Sequence, residues 1–271
     1  ENALESLNNR FSTLSVVGTT ALVRITNQAI TAGEQLVKAL SLDPVISGFR
    51  EYETQINAVQ TILANTSSKG TTLDQVNAAL DELNHYADLT IYNFTEMTRN
   101  IGTFTAAGVD LDTSVAAIKG IANLAAVSGS TSQQASTAMY QLSQALASGT
   151  VKLQDWNSVV NAGMGGQVFQ DALKETARVH GVVIDSMIAK EGSFRETLSK
   201  GWLTSSILTE TLQKFTGDLN EETLKSIGYT DEQIKKIMEM GKTANDAATK
   251  VKTFSQLKDT LAEALQSGWT Q

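Results

Sequence analysis

Few residues in this chain could do chemistry, and their spacing limits what each could do. Glu82 and His85 stand three apart in "ELNH". On a helix that spacing places a carboxylate and an imidazole on one face, as di-iron bundles require. Such a centre also needs a second Glu-x-x-His and two further glutamates. The other histidine, His180, has Ala177 three positions before it and Lys174 six before it, so the second half-site is missing. The chain has no cysteine, which excludes thiolate metal ligation and disulfides. Serines and threonines abound, yet no GxSxG elbow occurs. Carboxylates gather at helix starts, as in "TDEQ" (230–233), where they complement the helix dipole, and no acid/base pair stands out.

The glycines of "NAGMGG" (161–166) raise the question of phosphate binding. A P-loop needs GxxxxGK[ST] after a strand, and a dinucleotide loop needs GxGxxG. Here "GMGGQ" contains no lysine, and Gly163-x-Gly165-x-x leads to Val168. Gly163 instead falls just past a helical pattern, where a positive φ is called for. Gly165 and Gly166 then open the next helix. Trp156 lies three to four residues from Leu153, Val159 and Val160, the spacing of a packing face. The expectation is therefore no catalytic, metal or cofactor residue. Gly163, Gly165, Gly166, Trp156 and Pro44 are expected to act in turns and packing.

The elements that would position these residues are helical. One proline occurs in 271 residues, where average usage would give roughly a dozen. Proline breaks helix interiors, and Pro44 follows Asp43 at the place where helices tolerate it. Apolar spacing of three and four runs throughout. Helices are expected over 1–41 (interrupted near Gly18 or Gly33), 44–64, 72–87, 95–107, 111–127, 131–148, 153–162, 167–179, 183–190, 193–200, 205–216, 230–240 and 253–267. Thr72 with Gln75, Ser193 with Glu196 and Thr230 with Gln233 have capping-box spacing. Only "GVVI" (181–184) looks extended. The fold class is all-α, a bundle of about ten helices joined by short Gly/Ser/Thr turns. A change of texture near residue 180 suggests a main helical region over 1–180 and a shorter-helix part over 181–271.

Composition narrows the function. The net charge of −8 and scattered basic residues speak against nucleic-acid wrapping. No run reaches 18 apolar residues; "IANLAAV" (121–127) is short and is flanked by Lys119. Aromatics make up 6% of the chain, so a core of small and aliphatic side chains favours close helix packing over a large ligand cavity. The chain opens at Glu1 and closes mid-pattern at "QSGWTQ", as an excerpt of a longer protein would.

Several ordered motifs carry a resemblance: "FREYE" (49–53), "YADLT" (86–90), "NIGTF" (100–104), "GVDLDTSVAAIKGIANLAA" (108–126), "AMYQLSQALASGTVKLQDW" (138–156) with the glycine turn after it, and "GWLTSSILTETL" (201–212). Together they resemble the N-terminal region of tail tape measure proteins of long-tailed bacteriophages and prophages. The resemblance implies a structural virion protein, non-enzymatic, that sets tail length during assembly, fills the tube lumen and leaves when DNA is delivered. It implies a tail tube protein, tail assembly chaperones and tail-tip proteins as partners, with self-association and no sequence-specific nucleic acid. Host-membrane contact would fall to other parts of the full-length protein. The tail lumen is the implied location, with the host cytoplasm during assembly. A helical adhesin or secreted interaction module, or a cell-wall hydrolase segment, are the alternatives. As one straight helix the chain would span on the order of 400 Å, at about 1.5 Å per residue. The glycine turns imply a bundle when the segment stands alone.

Overall fold

A computed structural model describes residues 57–250. Pro44, the joints near Gly18 and Gly33, and the helix expected over 253–267 lie outside the described residues.

Local capping explains where the helices begin. Helix α1 occupies 57–66 and passes into a 3-10 turn, Ser67–Lys69. The Thr72 hydroxyl accepts from the Gln75 amide at 3.3 Å, and the Gln75 side chain accepts from the Thr72 amide at 2.8 Å, which starts α2, Leu73–Leu89. Asn93 caps α3, Phe94–Ala106, and Asp110 caps α4, Leu111–Val127. Thr131 and Gln134 repeat the reciprocal box at α5, Ser132–Ala147. There follow α6, Leu153–Asn161, and α7, Gln167–Val179. Then come α8, Ile184–Glu191; α9, Phe194–Thr197; and α10, Ser205–Gln213. The described chain ends with α11, Glu221–Ile227, and α12, Asp231–Lys250.

Three details differ from the sequence reading. "GVVI" forms no strand: the Gly181 and Val182 amides bond back to the Arg178 and Ala177 carbonyls and close α7, and Val183 then caps α8. Helix α12 runs to Lys250 rather than to about residue 240, because Gly241, Ala244 and Ala248 prolong its buried stripe. Helix α11 escaped notice because Leu224 is its one buried residue, too little for a periodic signal. Among the described residues the structure is all-α, with a single antiparallel bridge between Thr150 and Thr204.

Helix α4 lies at the centre and is packed by α2, α3, α5, α10 and α12. Its sequence, "LDTSVAAIKGIANLAAV", is apolar almost all round, which suits a helix surrounded by others. Contact with α10 is close enough to demand glycine. A Cβ at Gly120 would sit 2.7 Å from the Leu212 carbonyl carbon, closer still to its oxygen. Gly102, in the middle of α3, differs: a Cβ there would meet Thr61 Cγ2 at an ordinary 3.6 Å. One continuous apolar cluster extends from Val59 to Ala248. Part of it is a chain of rings in which Trp202 meets Phe194, Phe194 meets Trp156, Trp156 meets Phe169 and Phe169 meets Phe215.

These two helical glycines give a paired test. Gly120→Ala should lower unfolding stability by about 2–3 kcal/mol, because a rigid backbone blocks the new methyl. Gly102→Ala should leave stability unchanged or raise it by about 0.5–1 kcal/mol through helix propensity. Urea titrations followed by circular dichroism would read both, and equal effects would contradict the packing described.

Candidate functional site

The residues singled out by sequence occupy the α6–α7 corner. Gly163 has φ 78°, its amide bonds to the Val160 carbonyl at 2.9 Å, and the Met164 amide bonds to the Val159 carbonyl at 3.0 Å. Those paired bonds are a Schellman closure of α6. They commit the Gly163 and Met164 amides within the turn. The Ser130 hydroxyl takes the Ala162 carbonyl at 2.6 Å, tying the corner to the start of α5. A Cβ on Gly165 would run into Val160, 3.1 Å from its Cα, and Gly166 caps α7 in an extended conformation. Trp156 is buried between Phe169 and Phe194, at ring distances of 5.8 and 5.0 Å. Val159 shares its face, whereas Leu153 and Val160 lie toward solvent.

Two polar clusters that the sequence did not announce are assembled by the fold. The first crosses the buried side of α4. Asn123 is fully buried: its Oδ1 accepts from the Tyr86 hydroxyl at 2.6 Å, and its Nδ2 donates to the Phe215 carbonyl at 2.8 Å. One turn earlier, the Lys119 ammonium meets Glu82 and Asp218, each at 2.7 Å, and lies 5.8 Å from the Tyr86 ring centre. Burial works against the Lys119 charge, but the hydrogen bonds to Asp218 and Glu82 outweigh it and raise its pKa above the ordinary lysine value. Burial also pushes the Tyr86 hydroxyl far above its usual range, with Tyr92 and Asp218 adding to the effect. Glu82, the carboxylate of the "ELNH" spacing, is thus turned to a lysine, while His85 on the same helix is exposed.

The second cluster joins α7, α10 and the α11–α12 turn. Lys214, at the end of α10, has a side chain with no solvent exposure. Its ammonium reaches the Glu175 carboxylate at 3.4 Å and sits 4.4 Å over the Tyr229 ring. The Tyr229 hydroxyl donates to Glu210 at 2.5 Å, and His180 Nε2 faces the other oxygen of Glu210 at 2.6 Å. The Thr211 hydroxyl donates to the Thr176 hydroxyl at 2.8 Å behind them. Burial pulls the Lys214 pKa down, and the nearby Glu175 and Glu210 only partly restore it. Burial and the bond to Glu210 push the Tyr229 hydroxyl up. His180 and Glu210 are 30 positions apart, so no local spacing could have revealed their pairing.

In both clusters carboxylates meet ammonium, imidazole or phenol groups of the same chain, at 2.7 Å around Lys119 but only at 3.4 Å for the Lys214 ammonium. Among the described residues, no group of three or more His, Cys, Asp or Glu is placed to hold a metal ion, and no helix is long and apolar enough to cross a membrane. A shallow groove of about 280 Å³ between α5 and α6 is lined by uncharged residues, among them Gln134, Thr137, Ser158, Asn161 and Ala162. The first cluster joins α2, α4 and the segment after α10, and the second joins α7, α10 and the α11–α12 turn.

A family model described as "Tape measure protein" matches residues 50–226, more than half of the chain. The match takes in the whole of α4, with Lys119 and Asn123, and the α6–α7 corner. No curated protein and no solved structure matches.

The first cluster makes two testable demands. Asn123→Ala should cost about 3 kcal/mol in urea unfolding, because it leaves the Tyr86 hydroxyl and the Phe215 carbonyl buried without their partner. Since the folded Lys119 pKa is raised, its stabilisation is complete below the unfolded lysine value, about 10.4, and is lost as pH climbs through the raised folded value. The stability gap between the natural chain and Lys119→Met should therefore stay constant below the unfolded lysine value, about 10.4, and narrow as pH rises above it. A gap still constant above that value would contradict the assignment.

Proposed function

The chain belongs to the tape measure protein family, and from that premise we propose that this segment is a folded length of the ruler that sets the tail during assembly. It is a structural component of a phage tail. The family match over residues 50–226 carries the reading, and the helical construction of the same residues supports it. In an α-helix every backbone bond within the element is internal, so helices can be laid end to end or packed side by side without changing their own pairing. Short turns join them here.

In this reading the bundle is the form of the free segment. Inside the tail tube the helices string out along the axis, fill the lumen and depart when DNA passes. The partners are the tail tube protein along the lumen and, during assembly, tail chaperones and tail-tip proteins, with further copies of the chain alongside. The segment works by shape and makes or breaks no bond of its own.

Deletion in a phage that encodes the chain tests this directly. In-frame removal of α2 and α3, residues 73–106, should shorten virion tails by about 50 Å, at roughly 1.5 Å per helical residue. Inserting a helical stretch of equal length should lengthen them by the same amount. Tails of unaltered length, measured by electron microscopy in both mutants, would contradict the ruler role of this segment.

A further inference from the structure

The C-terminal end of the described chain has an apolar cluster of its own. Its buried members, Leu224, Tyr229, Ile234 and Ile237, all come from α11, α12 and the turn between them. Leu219 and Ile227 from the same stretch pack against it, and Val179 is the contribution from the body. The unit therefore keeps nearly all of its core if it moves as one piece.

What ties it to the body is of a different kind. The α12 face turned to the body is built of small residues. Gly241 abuts Gly217 and the Lys214 carbonyl so closely that a Cβ would lie 2.7 Å from that oxygen, and Ala244 and Ala248 continue the stripe. Met240 of the same helix also packs on the main core, Asn245 lies 3.5 Å from Asn123, and the Asp218 carboxylate, 2.7 Å from Lys119, holds the chain just after Gly217. A further joint is the polar cluster around Lys214. A charge-assisted N–H···O bond is ordinarily about 2.7–2.9 Å, yet the fully buried Lys214 ammonium approaches Glu175 only to 3.4 Å. Its other neighbours are the Glu210 carboxylate and the Tyr229 ring, and Tyr229 belongs to the unit itself. A buried charge with such sparse compensation favours any conformation that returns it to water. The Tyr229 hydroxyl bond to Glu210, seconded by His180, opposes that.

We propose that residues 219–250 form a clasp that opens from the body as a unit, hinged at Gly217, with Tyr229–Glu210 as its catch and the buried Lys214 ammonium as the group that drives it open. Gly217 has φ 80°, a conformation that leaves other backbone states readily accessible to glycine. Opening lifts α12 from the flank of α4, parts Asn245 from Asn123 and hydrates Lys214, while the cluster around Leu224 and Ile234 stays closed. The clasp is a property of the free chain and does not rest on the ruler reading.

Hydrogen exchange by mass spectrometry on the full 271-residue chain tests it. Amides of 221–248 should exchange together, about tenfold or more faster than those at the centre of α4, as a sub-global opening does. Lys214→Met keeps the volume and removes the charge, and should slow exchange in 221–248 about tenfold. Tyr229→Phe removes the catch and should speed it about tenfold, with α3 to α5 unchanged in both variants. Exchange of α11 and α12 in step with α4 would overturn the clasp. So would faster exchange in Lys214→Met. If the Met variant does not fold, a Tyr229→Phe effect spread evenly over the whole chain would overturn it as well.

Discussion

Helix α4 is enclosed on every side in the closed molecule, and it carries Ser114, Lys119 and Asn123 into that enclosure. This constraint organises the rest. A helix apolar almost all round has no face to give to water, so α2, α3, α5, α10 and α12 all pack upon it. Gly120 sets how near α10 can come, because its missing side chain is where the Leu212 carbonyl sits. Asn123 and Lys119 set which elements must arrive together: neither is satisfied unless Tyr86 and Glu82 on α2 and residues 215–218 after α10 are in place at once. Segments about a hundred residues apart in sequence are thereby fixed to one another through two side chains one turn apart.

The same arrangement explains why the molecule holds firmly at some places and lightly at others. Around α4 and the ring series from Trp202 to Phe215, aromatic and aliphatic groups interlock with satisfied polar partners. Along the later part of α12 small residues replace them, and at the end of α10 the sparsely paired Lys214 ammonium does. On the proposed reading, in which the segment folds alone and later gives up its packing, both kinds of contact are needed. Helices supply the part that survives such a change, because their backbone bonds do not depend on neighbours.

Much of this was legible in the sequence, for identifiable reasons. Thr72 with Gln75 and Thr230 with Gln233 are local signals, and local signals survive in any context. The stripe of α2 was visible because Val76, Leu80 and Leu83 recur at helical spacing, and the structure buries all three. Non-local facts were hidden. Lys119 looked like a charge bounding a short apolar run, whereas Glu82 and Asp218 allow it to lie within the packed interior. Carboxylates seemed confined to helix starts and open faces, yet Glu210 is a partly buried hub for Tyr229 and His180. Helix α11 carried too few apolar positions to register, and "GVVI" resembled a strand only until the carbonyls at the end of α7 claimed its amides.

The central claim is that the helices persist in the tail while the bundle around α4 is given up. The chain has no cysteine, so an engineered pair would report without background. Glu82 and Asp218 face the same Lys119 ammonium, each at 2.7 Å, and in a strung-out helical chain they would lie on the order of 200 Å apart, at about 1.5 Å per residue. With cysteines at both positions, a short bismaleimide should link the two sites within the free chain and fail to do so in intact virions. Equal intramolecular linking in the assembled tail would contradict the account.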